Sequence, residues 1–120
     1  MARYADAHFM DGLLERLEGM TTLTVTAGEP TDIADIAARA LASTTIDAAD
    51  WTLSDDGAGR RSDINQQEDL DITDSGEADH VVIDDGTYYY ATVCDPQQLT
   101  EGGTVTVGTW GVSVGAPTAP

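Results

Sequence analysis

Lysine is absent, and cysteine and phenylalanine occur once each; these shortages say more about function than the abundant residues do. With arginine at five positions against 22 acids, the formal net charge is −17. Soluble domains of this size sit at a magnitude of about 2–8. Sequence-independent nucleic-acid binding draws its affinity from Lys and Arg displacing phosphate counterions, so this chain lacks the driving force for it. Anionic membrane surfaces are disfavoured by the same repulsion. Cys94 is the single cysteine, which excludes an intrachain disulfide and a four-thiolate metal site. No stretch approaches the roughly 18 apolar residues of a membrane span. The opening Met1-Ala2-Arg3-Tyr4-Ala5-Asp6-Ala7-His8 lacks the apolar run of a signal peptide, so synthesis in the cytoplasm is expected.

What is present fits one β-rich domain over 1–115, with 116–120 as an extended tail. A chain of 120 residues buries roughly 65% of its unfolded surface. Its core is lean, with one Phe, two Trp and four Tyr. The acids run from Asp6 to Glu101 without clustering. That spread favours adaptation to a salty medium, where ions screen the repulsion, over a dedicated face for a cationic partner.

Phe9, Met10, Leu13, Leu14 and Leu17 fall at helical spacing, with Gly19 placed to stop the helix. Thr21 to Thr26 alternates polar and apolar β-branched residues and predicts a strand buried on one face. Ile33, Ile36, Ala37 and Leu41 return to helical spacing, with Thr31 or Asp32 as caps. Beyond Trp51 the pattern is strands and turns: Trp51 to Leu53, a flexible Asp55–Gly59 loop, an extended Arg60–Gln66, and Asp69 to Thr73. His80 to Cys94 reads as a hairpin about a tight Asp85-Gly86 turn, closed by Asp95-Pro96. Thr104 to Gly108 alternates in one phase and Trp110 to Val114 in the other, which predicts a bulge or bend between Gly108 and Gly111. The expected fold is mainly β (α+β): an antiparallel β-sandwich or small barrel, with an N-terminal helix and room for a second short one.

Nucleophilic catalysis needs a nucleophile, a base and a group that orients the base. Cys94, His8 and His80 are the material on offer, and no motif surrounds them; Cys94 in a core strand behaves as a small hydrophobe. Asp69, Asp71, Asp74, Gly76, Glu77 and Asp79 resemble a calcium loop, but glycine misses the sixth position by two residues. Asp55-Asp56-Gly57-Ala58-Gly59-Arg60-Arg61 has no GK[ST] ending and is no phosphate loop. No catalytic residue, metal or cofactor is therefore expected. The adjacent Arg60 and Arg61 suit either a local ion pair with Asp55, Asp56 or Asp63 or an intersubunit contact. Tyr88-Tyr89-Tyr90 places rings on both faces of a strand, so at least one faces outward, and Tyr88 and Tyr90 are interface candidates.

Leu-Thr-Val-Thr-Ala-Gly-Glu-Pro (Leu23 to Pro30), Gly59-Arg60, Ala-Asp-His-Val-Val-Ile-Asp-Asp-Gly (Ala78 to Gly86) and the Gly103–Pro117 segment follow a short N-terminal helix. This pattern resembles a family of small virion proteins of tailed bacteriophages. The excess of Asp and the alanine-rich Ile33–Ala42 stretch depart from it. The resemblance implies a head decoration or cement protein: a non-enzymatic clamp on the outer surface of the major capsid protein shell. Such a chain would contact that protein and copies of itself, with no nucleic acid and no membrane. The tail carrying Pro117 and Pro120 would lie across a neighbouring subunit. Two other readings stay open: a minor tail, fibre or head–tail joining protein, and an acidic cytoplasmic binding module of a salt-adapted cell.

Overall fold

A computed structural model describes residues 14–56 and 59–114. Residues 14–18 are helical and Gly19 follows, its N–H donating to Glu15 O at 3.2 Å, so the helix stops where glycine was expected to stop it. Leu14 and Leu17 are buried. Phe9, Met10 and Leu13 lie outside the described residues. In chain order come β1 (Thr22–Thr26), α1 (Asp35–Arg39), β2 (Ala40–Thr45), a 3-10 turn (Ala48–Asp50), β3 (Trp51–Asp56), β4 (Gly59–Ile64), β5 (Gln67–Asp71), β6 (Gly76–Asp84), β7 (Tyr89–Leu99), β8 (Thr104–Val107) and β9 (Trp110–Val114). The fold is mainly β with every strand pair antiparallel, as the alternation predicted. Among the described residues the sheets are open rather than closed into a barrel. The chain divides into two compact units.

The larger unit spans Met20–Ile46 and Gln67–Val107. Its four-stranded sheet has the order β2-β1-β6-β7. β1 is central and buried on both faces, not one: Leu23 and Val25 on one side, Thr24 and Thr26 on the other. A threonine tolerates that position when its hydroxyl is satisfied, and Thr26 Oγ1 donates to Gly28 O at 2.9 Å. Val81, Val82 and Ile83 of β6 complete the core beside it. Each such side chain contributes about 1.5–3 kcal/mol on burial. Ile72 bridges Ala42, linking the two-stranded β5–β8 ladder to β2.

The second helix is shorter than its spacing predicted. Ala40 turns extended (φ −66°, ψ 131°), so Leu41 belongs to β2 and is buried there. Asp32 Oδ1 accepts from Asp35 N at 2.8 Å, and Thr31 N donates back to Asp35 Oδ2 at 3.0 Å, so both expected cap residues serve the entry turn. Asp35 Oδ2 also receives Arg39 Nε at 2.6 Å, one helical turn on.

The hairpin is present with two corrections. Its last laddered pair is Asp84↔Tyr89, and inside it Asp85 N donates to Tyr88 O at 3.1 Å, so the tight turn falls on Gly86-Thr87 rather than on Asp85-Gly86. Asp85 Oδ1 takes the N–H groups of Thr87 and Tyr88 at 2.9 and 2.7 Å, and Gly86 sits at φ +90°. β7 also runs on through Pro96 to Leu99. The ladder passes from His80↔Val93 to Ala78↔Gln97, so Cys94, Asp95 and Pro96 bulge opposite Asp79. An edge-strand bulge needs no N–H from Pro96.

The smaller unit holds the three-stranded sheet β3-β4-β9. Trp51 and Trp110 flank Ile64, which is fully buried between its two partner strands. Their rings meet edge-on at 6.5 Å and 73°. Asp47 and Asp50 close a reciprocal cap on the 3-10 turn. The phase reversal between β8 and β9 is not a bulge within one strand. β8 pairs with β5 in the larger unit and β9 pairs with β4 in the smaller, so the flip marks a change of sheet.

Candidate functional site

Arg60 and Arg61 stand on β4, the middle strand of its sheet, with their backbone held in register. Arg60 Nη1 pairs with the Asp55 carboxylate directly across the ladder, and Arg61 Nε pairs with Asp63 Oδ1 at 2.7 Å two residues along its own strand. The local partners anticipated for them, Asp55 and Asp63, are engaged.

Tyr88 and Tyr90 are 57% and 40% exposed. Tyr89, between them, is half-buried and donates its hydroxyl to Pro30 O at 3.3 Å. Val93, which sequence reasoning passed over, is 75% exposed. Among the described residues these three, Tyr88, Tyr90 and Val93, are the exposed large hydrophobics, and all lie within six residues of one edge strand or its turn. The signal that could have found this edge is charge: residues 86–100 carry only Asp95, and residues 102–120 carry no charge at all. The acids are spread along the rest of the chain but thin out there. Pro117 and Pro120 lie outside the described residues.

The groups that could do chemistry are partly brought together. His80 Nδ1 and Asp79 Oδ1 are 2.8 Å apart, and Asp79 Oδ1 also accepts from Gly28 N at 2.7 Å. Those two bonds, the His80 contact first, hold the Asp79 carboxyl below the usual carboxylate range. Cys94 lies in the bulge opposite, on an edge rather than in a core strand, and is half-buried. Burial pushes its thiol upward, and the charges of Asp79 and Asp95 push it the same way. A nucleophilic cysteine needs the reverse environment, one that favours the thiolate. The electrostatics here oppose activation.

The calcium-like acids are drawn apart. Asp69 and Asp71 sit on β5, Asp74 in the following turn, and Glu77 and Asp79 on β6. Asp69 takes a left-handed φ of 54° at a bulge in β5, where its N–H donates to Thr106 Oγ1 at 3.3 Å. Among the described residues no group of three or more His, Cys, Asp or Glu could hold a metal ion. A cavity of about 340 Å³ opens over β1, lined by Thr22, Thr24 and Asp84 on the sheet and by Ile33, Ile36 and Ala37 above it. Its hydroxyls and carboxylate offer hydrogen bonds but no nucleophile–base pair.

No helix among the described residues is long and apolar enough to cross a membrane. No family model matches the chain, and no curated protein and no solved structure does either.

Proposed function

We propose that this chain is a non-enzymatic virion structural protein, a capsid decoration or cement protein that binds the outer surface of the major capsid protein shell and stabilises it. The observation that carries the reading is the pairing of the segments behind the phage-protein resemblance. Leu23 to Thr26 and His80 to Ile83 are neighbouring central strands, Leu23 opposite Ile83 and Val25 opposite Val81. Arg60 lies opposite Val114 on the β4–β9 pair. Segments far apart in the sequence that share the pattern thus lie side by side in each unit, which supports reading them as parts of one scaffold. Adhesion is also supported by the placement of exposed tyrosine and valine on an edge strand that carries a single acid, and by a thiol environment that opposes covalent catalysis. Repetition on a lattice lets a modest contact act through avidity.

The test is rebinding. Shells stripped of their surface proteins should take up the purified chain to saturation and disrupt at a higher temperature. An inventory of the intact particle should find a copy number comparable to that of the major capsid protein. A copy number that is a small fraction of the shell subunits would place the chain in the tail or at the head–tail joint instead. No uptake at near-stoichiometric concentration overturns the reading.

A further inference from the structure

We propose that the cavity over β1 binds a small organic cation, a primary ammonium on a short aliphatic chain. Asp84, Thr22 and Thr24 hold its nitrogen, and Ile33 and Ile36 cover its chain. The described lining belongs entirely to the larger unit. Its floor is one face of the sheet. Thr22 stands opposite Asp84 and Thr24 opposite Ser43, pairs whose Cβ atoms lie about 5 Å apart. Ile36 and Ala37 of α1, with Ile33 before it, form the other wall. Ser43 and Ala37 are exposed and mark the mouth, whereas Thr24 and Ile36 are buried and close the inner end. The volume of about 340 Å³ falls in the range of small-molecule sites, about 300–1,000 Å³.

Thr24 points to an occupant. Thr26, on the same face of the strand, donates its hydroxyl to Gly28 O at 2.9 Å. Thr24 is more than nine-tenths buried, yet its hydroxyl makes no hydrogen bond among the described residues. Its ladder partner Val82 is fully buried, so a valine would suit position 24 without the cost of desolvating a hydroxyl. What fills the cavity supplies the missing partner. Asp84 sets the sign of its charge. One carboxylate oxygen accepts from Gly86 N at 3.0 Å, and the other has no partner among the described residues. No described residue lining the cavity is basic. An anion would meet this carboxylate in a chain of net charge −17, and a neutral alcohol would leave the carboxylate charge unmatched. A hard metal ion takes about six to eight oxygen ligands, and one wall here is aliphatic. A primary ammonium has three donors, matching one carboxylate oxygen and two threonine hydroxyls. Its chain is buried against Ile33 and Ile36.

The experiment uses the full chain alone, isotope-labelled for NMR, so its result is independent of whether any shell is bound. Hexylammonium is the probe, with hexan-1-ol and hexanoate as controls of the same chain length. In ~1 M NaCl, where a Debye length of about 3 Å screens the general field of the acids, the amides of Thr22, Thr24 and Ile36 should shift. Hexylammonium should titrate them with a Kd of about 1 mM. The alcohol should bind about tenfold more weakly, and hexanoate should not bind. Thr24→Val should weaken hexylammonium about fivefold. Asp84→Asn, which keeps an acceptor for Gly86 N, should reduce hexylammonium to the affinity of the alcohol. Asp71→Asn, at an exposed position on β5, should change nothing. The Asp84→Asn readout compares probes within one variant, so it stands even if Thr24→Val disturbs the strand. No shift at these amides, equal binding of the three probes, or full affinity in Thr24→Val or Asp84→Asn would each overturn the proposal. A loss in Asp71→Asn as large as in Asp84→Asn would trace binding to net charge and overturn it as well.

Discussion

Gly111 lies directly opposite Asp63 on the β4–β9 ladder, and a Cβ at Gly111 would run into the Asp63 carboxylate and reach Ser62 O at 2.6 Å. That carboxylate is the one Arg61 holds at 2.7 Å. The ion pair thus occupies the space a side chain on β9 would need. Gly111→Ala should lower stability by about 1–3 kcal/mol, the usual cost of forcing volume into a packed site. Asp63→Ala should relieve part of that cost, since the two positions share one space. A double-mutant cycle on urea midpoints reads the coupling. Strict additivity would show that the backbone contact at Ser62, not the carboxylate, is what excludes a side chain.

Gly28 and Gly86 share a left-handed backbone, at φ +85° and +90°, but differ in their surroundings. A Cβ at Gly28 would sit 2.6 Å from Arg39 Nη1, whereas nothing lies within 4 Å at Gly86. Gly86→Ala should therefore carry only the conformational cost of about 1–2 kcal/mol. Gly28→Ala should exceed it, because Arg39 is tied to Asp35 and to Ala27 O and must be displaced. Thermal denaturation of the two variants side by side checks the order. Equal losses would mean that the guanidinium swings aside freely.

Ser62 is fully buried on β4, and its Oγ has no hydrogen-bond partner among the described residues. A buried hydroxyl without a partner costs about 1–3 kcal/mol in desolvation. Ser62→Ala should be neutral or stabilising, up to about 1 kcal/mol, because it removes the polar atom with little loss of volume. Destabilisation in a urea titration would indicate that the hydroxyl is satisfied by ordered water.

Much of this fold was legible because alternation reports pairing wherever a strand has one buried face. Leu70 and Ile72 are buried and Asp71 between them is exposed, as the pattern of that stretch required. The misses share one cause: they depend on partners far away in the chain. Ala40 and Leu41 suit helix and strand alike, and only the ladder to β1, with Ala40 opposite Thr26 and Ala42 opposite Val25, draws them into β2. The bulge that carries Pro96 is set by Asp79 on the facing strand. The reversal of phase after Gly108 showed that something changes there, but not that the new strand joins a different sheet. Tyr88 and Tyr90 were readable as outward-facing rings. Val93 was not, since a valine among β-branched residues looks like core until the strand is known to be an edge.

Asp35 and Asp79 should make the protein acid-sensitive at specific points. Asp35 is held below the usual carboxylate range by Arg39 and then by the Thr31 N–H, and Asp79 by His80 and then by the Gly28 N–H. In each case the unfolded chain, with a carboxyl pKa of about 3.9, binds the proton more readily than the folded one. Their stabilisation is therefore complete above that value and is lost as pH falls through the lower folded one. Asp35→Asn and Asp79→Asn should be less stable than the parent near neutrality and should lose less on acidification. Urea midpoints taken at successive pH values below about 5 will show the curves converging. Parallel curves would mean that these bonds are retained in the unfolded chain.

Salt should stabilise this protein, against the effect it has on single ion pairs. The pairs Arg39–Asp35, Arg60–Asp55 and Arg61–Asp63 are partly exposed, and such pairs contribute little and are weakened further by screening. Against them stands the mutual repulsion of a chain with net charge −17. The Debye length falls from about 10 Å at 0.1 M to about 3 Å at 1 M, short enough to silence acids on separate strands. The melting temperature should rise with NaCl and level off near that upper concentration. Asp71→Asn and Asp74→Asn, at exposed positions, should raise the melting temperature at low salt and leave it unchanged at high salt. A melting temperature that falls with salt would mean that the ion pairs outweigh the repulsion, and the acid excess would then need a role other than tolerance of a salty medium.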